Sequence, residues 1–294
     1  MATLASLPYV QPDVPVGPLT TYKLGGPAAY FAEVGDRNQL DAVVEAWRGT
    51  GLPLLVLGRG SNLVVHDDGI DALVLRLAGD FARVEMRPDR VWAGAAVRLP
   101  QLARAAVGAG RLGLEFYVGI PGSVGGAVRQ NAGGHGRETR DVLIEATLLD
   151  AQTGRFSTRN VSDLDLSYRH SSVSASDVVV DASFDFERGD PGTGEQRMRE
   201  ITRWRKEHQP GGTYNAGSVF KNPPGDSAGR IIDSLGLKGL QIGDVAVSEK
   251  HANFFVAGPD ATASDLHTLV DRVRTIVAER LGIRLETEIQ FEGF

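Results

Sequence analysis

The chain of 294 residues contains no cysteine. That removes disulfides, thiolate zinc sites, iron–sulfur clusters and cysteine nucleophiles together, so any redox chemistry must use an organic cofactor. Positive charge is not in excess either. A net charge of −6 at pH 7 gives no electrostatic reason to expect nucleic acid. No apolar run reaches the length of a membrane span. The opening segment MATLASLPYVQPDVPVG lacks the basic start and apolar core of a signal peptide. The expectation is a cytoplasmic protein with no membrane partner. The six histidines show no HExxH or other ligand spacing, so no metal is expected.

Glycine is what the chain has in plenty. It supplies 36 residues, about 12% against an average of roughly 7%. Two segments concentrate it: GRGSN (Gly58 to Asn62) and GIPGSVGGAVRQNAGG (Gly119 to Gly134). Stretches this poor in side chains bring bare amides close to a ligand, and a diphosphate held in backbone nests is the reading they invite. The first segment follows a strand but reads GxGxxL rather than GxGxxG, and another strand follows it. The dinucleotide fold, with its phosphate on a helix N-terminus, is therefore not indicated, and a tight hairpin turn is an equally good account of GRGSN alone.

Periodicity places the elements around these segments. Residues 1–18 read as a proline-rich extended lead-in. A helix is expected over about 38–50, capped by Asn38 and stopped by Gly51, and another from near Pro100 with Leu102 and Ala105 inward. Short apolar runs at 53–57, 62–67, 71–77, 142–149 and 177–186 read as strands. ERGDPGTGE, at 187–195, reads as a linker, followed by helices at about 195–208 and 231–235 and by strands within 244–256. The last helix has Thr262 and Asp265 as its cap and a stripe of Leu266, Leu269, Val270, Val273, Ile276 and Val277. A final strand alternates Leu285, Thr287, Ile289, Phe291 against Glu286, Glu288, Gln290, Glu292.

Together the motifs carry a resemblance. GRGSN, then GIPGSVGGAV and NAGG, resemble the FAD-binding fold of vanillyl-alcohol-oxidase-type flavoproteins. TTYKLGGPA, SYRHS (Ser167 to Ser171), GSVFKNP (Gly217 to Pro223), LKG (237–239), SEKHANFFV (248–256) and LETEIQF narrow it to the UDP-N-acetylenolpyruvoylglucosamine reductases, over about residues 19–292. The resemblance implies an α+β chain: a two-subdomain FAD-binding domain at 1–187 (about 19–78 and 79–187), then an α+β substrate-binding domain at 196–294. It implies non-covalent FAD, NADPH as co-substrate, a UDP-sugar substrate and a monomer.

The implied reaction is reduction of UDP-N-acetyl-3-O-(1-carboxyvinyl)-glucosamine to UDP-N-acetylmuramate in peptidoglycan precursor synthesis. Hydride passes from flavin N5 to C3 and a proton from Ser218 to C2. Arg169 and Glu288 would polarise the substrate carboxylate, Glu288 best with a raised pKa. Composition alone offers plainer readings: Ser218 as a serine in a glycine turn, Arg169 as a surface arginine, Glu288 as part of a solvated acidic face. Lys221 and Lys238 are candidates for a relay to Ser218.

For the cofactor the resemblance implies Gly58, Arg59, Gly60, Ser61 and Asn62 from the first segment. From the second it implies Pro121, Gly122, Ser123, Gly125 and Gly126, then Asn131, Ala132 and Gly133. For the substrate it implies Tyr168, Asn222, Lys238 and His251, with Lys238 at the diphosphate. The length fits the family's shorter class, which lacks an inserted lid. His208 stands where the longer class has a substrate lysine, and Arg129, Gln130 and His135 replace more apolar or aromatic residues. Two alternatives stay open: another FAD-dependent oxidase or dehydrogenase of the same fold, and a non-catalytic nucleotide-binding module.

Overall fold

The structure is a computed structural model that describes residues 3–294. The chain packs as two compact units, each discontinuous in sequence. The first takes the residues up to Asp13, Tyr30–Arg59 and Ala72–Trp204; the second takes Val14–Ala29, Gly60–Asp71 and Arg205–Phe294.

A four-stranded sheet runs in the order Val10–Pro15, Pro27–Val34, Ile70–Leu77, Leu54–Val56. The supposed lead-in thus supplies a strand. Helix α1 (Arg37–Trp47) buries Leu40, Val43, Val44 and Trp47, an i, i+3, i+4, i+7 stripe. Its cap is Asp36, whose carboxylate accepts the Gln39 N–H at 2.9 Å, rather than Asn38.

A five-stranded antiparallel sheet follows, ordered Arg155–Asn160, Leu143–Asp150, Asp177–Phe184, Val91–Gly94, Val84–Met86. Helices α2 (Leu99–Gly108) and α3 (Val124–Gln130) contribute Leu102, Ala106, Val124 and Val128 to the buried core of the first unit.

Two expectations fail here. The second glycine segment is not all loop, because α3 rises from it with Ser123 as cap; the paired glycines hid the helix. The linker at 187–195 is not a linker. Glu187–Arg188 pairs with Arg111–Leu112, and helix α4 (Pro191–His208) begins at a proline, which suits a first turn. Gly194 is buried in α4, and a Cβ there would lie 2.7 Å from Val107 and 2.8 Å from Leu112. The glycine that looked like a flexible spacer is a close-packing contact.

In the second unit, a three-stranded antiparallel sheet is ordered Gln241–Ile242, Val245–Val247, Phe255–Ala257. It accompanies the short helix α5 (Ala228–Ser234) and the long α6 (Ala263–Leu281). Thr262 and Asp265 form the expected capping box, Gly282 closes the helix with φ 69°, and the expected stripe is buried except for the partly buried Ile276. Tyr22 is wholly buried in this core and donates its hydroxyl to the Phe255 carbonyl at 3.1 Å, and burial pushes its pKa up. Leu63–Val65 pairs in parallel with Gln290–Glu292.

The final strand is shorter than its alternation promised. The chain bends at Glu288 and Ile289, whose N–H groups both donate to the Val219 carbonyl, at 2.7 and 3.4 Å. Two residues against one is a β-bulge, which breaks the alternation and re-aims a side chain. Among the described residues, no helix is long and apolar enough to cross a membrane.

Candidate active site

In the first unit a cavity of about 400 Å³ opens beside the glycine segments. Gly58, Arg59, Ser123, Gly125 and Gly126 line it, together with Arg76, Arg98 and Arg129 and the carboxylates of Glu33 and Asp177. Two of the glycines sit where neighbours approach closely. A Cβ on Gly58 would lie 2.5 Å from Ser123 Oγ, and one on Gly125 would meet the Ala95 side chain at 3.1 Å. A lining stripped of side chains beside several guanidiniums suits a nucleotide diphosphate, so the residues present fit FAD.

The backbone amides are less available than the sequence suggested. Gly122, Val124 and Gly125 each donate at 2.9 Å, to the carbonyls of Ile120, Val97 and Ala95, and Gly126 donates to Ser123 Oγ at 3.4 Å. Pro121 lies exposed at the start of this turn.

Asn131 serves structure. Fully buried with φ 44°, it donates to Ser167 O (2.8 Å) and Glu138 Oε2 (3.0 Å) and accepts the Arg140 N–H (2.9 Å). It thereby ties NAGG to SYRHS. Ser167 and His170 exchange backbone hydrogen bonds at 3.2 and 3.1 Å, so Tyr168 and Arg169 form the tip of a tight turn, with Arg169 at φ 54°. The Arg169 guanidinium donates to the Gly133 carbonyl at 3.1 Å and lies 5.1 Å from the half-exposed Tyr168 ring. Ala132 completes the hinge, its N–H on the Ala127 carbonyl at 2.9 Å. His135 meets Trp204 edge-on at 5.2 Å.

The second unit holds the rest. Gly60 packs so tightly that a Cβ would lie 2.6 Å from the Thr20 Cα, with φ 59° besides. Half-buried Ser61 follows it. Asn62 donates to the Glu288 carbonyl at 2.8 Å and accepts the Gln290 N–H at 2.9 Å. Asn62 therefore braces the chain at Glu288.

GSVFKNP runs extended between two partners. Ser218 bridges to Phe254, Val219 N–H donates to Asn253 O at 2.8 Å, and Lys221 N–H donates to Glu286 O at 2.8 Å. The buried Asn253 side chain grips Phe220 from both sides, accepting its N–H at 3.0 Å and donating to its carbonyl at 2.8 Å. Ser218 and Glu288 are thus brought together through Val219. The bulge distinguishes half-buried Glu288 from exposed Glu286, which faces Lys221 at 3.5 Å. Lys238 faces Asp233 at 2.9 Å, so both candidate relay lysines have carboxylate partners. Asn222 accepts the Ala228 N–H at 3.0 Å. His251 Nδ1 accepts the Asn253 N–H at 3.2 Å, and burial, ahead of nearby Lys238, lowers its pKa. The neutral ring then carries its proton on Nε2, as a donor.

Sequence reasoning missed Arg76, Arg98 and Asn253. The arginines sit outside any motif, and only the cavity reveals them. Asn253 lay inside SEKHANFFV, but nothing in the string marks it as a bidentate brace.

Fold and cavity define a flavin-nucleotide oxidoreductase: residues 28–158 match the family described as FAD binding domain. Residues 209–292 match the UDP-N-acetylenolpyruvoylglucosamine reductase C-terminal domain. The chain is 44% identical over 275 residues to UDP-N-acetylenolpyruvoylglucosamine reductase 2 of Symbiobacterium thermophilum, covering 93% of this chain and 89% of that protein. It is 42% identical over 284 residues to the reductase of Parvibaculum lavamentivorans, covering 96% and 90%. The crystal structure of the Thermus caldophilus reductase superimposes with a TM-score of 0.84 at 38% identity, over 96% of this chain and 98% of that one. The chain belongs to the UDP-N-acetylenolpyruvoylglucosamine reductase family, and its α+β architecture of an FAD-binding fold plus a C-terminal domain is the one expected from the sequence.

Proposed function

We propose that the protein reduces UDP-N-acetyl-3-O-(1-carboxyvinyl)-glucosamine to UDP-N-acetylmuramate in peptidoglycan precursor synthesis, as a cytoplasmic monomer. FAD-binding residues 1–187 and substrate-binding residues 196–294 divide the work. FAD, held non-covalently, would supply hydride chemistry there, with NADPH as the reductant. Gly58 to Asn62, with the cofactor-facing residues from Pro121 to Gly133, hold it. The protein's own groups manage charge and protons. Arg169 and Glu288 bind and polarise the substrate carboxylate, holding the charge that develops there more tightly than in the ground state. Ser218 donates the proton to the carbon bearing that carboxylate. Tyr168, Asn222, Lys238 and His251 orient the sugar nucleotide, with Lys238 at its diphosphate and His251 offering Nε2–H.

The observation that carries this reading is the shared Val219 register. It sets a hydroxyl and a bulge-aimed carboxylate on adjoining backbone, in a chain of this family. The Ser218 hydroxyl makes no hydrogen bond among the described residues, which suits a group kept for a substrate. The test is Ser218→Ala in stopped flow. Flavin reduction by NADPH should proceed at the wild-type rate, while reoxidation by the enolpyruvyl sugar nucleotide slows by about 10²–10⁴-fold. Equal losses in both half-reactions would refute the proton-donor role.

A further inference from the structure

The glycine segments invited a backbone nest for a diphosphate, yet four amides of the second segment already have protein acceptors. The cavity's cations offer another means. Both lining carboxylates are engaged, Glu33 with Arg76 and Asp177 with Arg159 at 3.5 Å. Arg129 donates to the carbonyls of Val173 and Ser174, at 3.3 and 2.6 Å, which leaves Arg59 and Arg98 with neither a carboxylate nor a carbonyl partner for the guanidinium among the described residues. Each is mounted beside Ser123. Arg59 follows Gly58, whose backbone approaches Ser123 Oγ, and Arg98 forms a backbone bridge with Ser123 while Leu99 N–H donates to Gly122 O at 3.0 Å.

We propose that Arg59 and Arg98 clamp the FAD diphosphate from the cavity wall, adding paired countercharge to the backbone of the first glycine segment. Two guanidinium forks face a group with two negative charges, and a planar fork matches phosphate oxygens pairwise. Desolvation first, then the neighbouring charges of Arg98 and Arg76, lower the Arg59 pKa, the mark of cations gathered with no anion between them. The glycines keep this face open by letting the two loops approach without side chains.

The inference rests on the FAD reading above, and the experiment separates the two. Apoprotein is titrated with FAD at low and high salt, following flavin fluorescence, and its thermal midpoint is measured without flavin. Arg98→Met should weaken FAD binding about ten- to hundredfold and flatten its salt dependence. The apoprotein midpoint should not fall, since the guanidinium has no carboxylate partner to lose. Arg98→Lys should fall between, keeping the charge without the fork. Riboflavin, which lacks phosphate, should bind variant and wild type alike. Unchanged FAD affinity and salt dependence in Arg98→Met would overturn the clamp, as would equal weakening of riboflavin or a lowered midpoint. Failure of the wild-type protein to bind FAD would overturn the function itself.

Discussion

The first unit holds its candidate site open with charge, whereas the second builds its site from backbone. Around the cavity, Arg59 and Arg98 lack carboxylate partners among the described residues, and Gly58 and Gly125 beside them lie in close approaches. Around Ser218 the path of the backbone follows from strand register, a bulge and a buried asparagine that grips Phe220 twice. Groups of the first kind can change without touching stability. The braces of the second cannot, because placement of the site backbone and stability of the fold use the same hydrogen bonds. Binding a stable anion needs only countercharge, while delivering a proton to one carbon needs placement within a few tenths of an ångström.

The largest test of this contrast is Asn253→Ala. It strands the Phe220 N–H and carbonyl in a buried site and should cost about 2–5 kcal/mol of unfolding free energy, measured in urea. Reoxidation by substrate should fail together with stability. A stable Asn253→Ala protein with intact reoxidation would break the comparison. Arg59→Met is its counterpart. Chemical denaturation of the apoprotein should shift by no more than about 0.5 kcal/mol, while FAD affinity drops about tenfold or more. A clear loss of apoprotein stability would show the first unit to be as braced as the second.

The smallest effect is a pH slope. The His251 pKa is lowered in the folded protein, so the folded state binds fewer protons than the unfolded state below the ordinary histidine value of 6.5. Stability should be fully present above pH 6.5 and decline as the pH falls towards the lowered value. His251→Gln should flatten that slope in pH-dependent melts, and an unchanged slope would assign it elsewhere.

Legibility from sequence follows the same divide. Helix α6 could be read to its caps, because a capping box, an apolar stripe and a closing glycine are local signals. The glycine segments border the cavity, but the second offers fewer amides than its string suggested, since bonding partners of amides are set by strands elsewhere in the chain. Arg98 could not be found at all, because no string separates a cavity arginine from a solvated one. Glu288 stood out from Glu286 only through family likeness. The bulge that distinguishes them depends on a carbonyl at Val219, far away in sequence. Gly194 looked like part of a linker because flexible and tightly packed glycines are spelled alike.

The parallel pairing of Leu63–Val65 with Gln290–Glu292 also has a consequence on the ribosome. At the usual speed of translation, about 5–20 residues per second, the partner strand emerges about 10–45 s after the first. Throughout that interval Leu63, Val64 and Val65, all buried in the finished protein, have an unpaired edge open to any other nascent strand. The delay makes this edge a place where nascent chains can pair wrongly before the partner strand arrives.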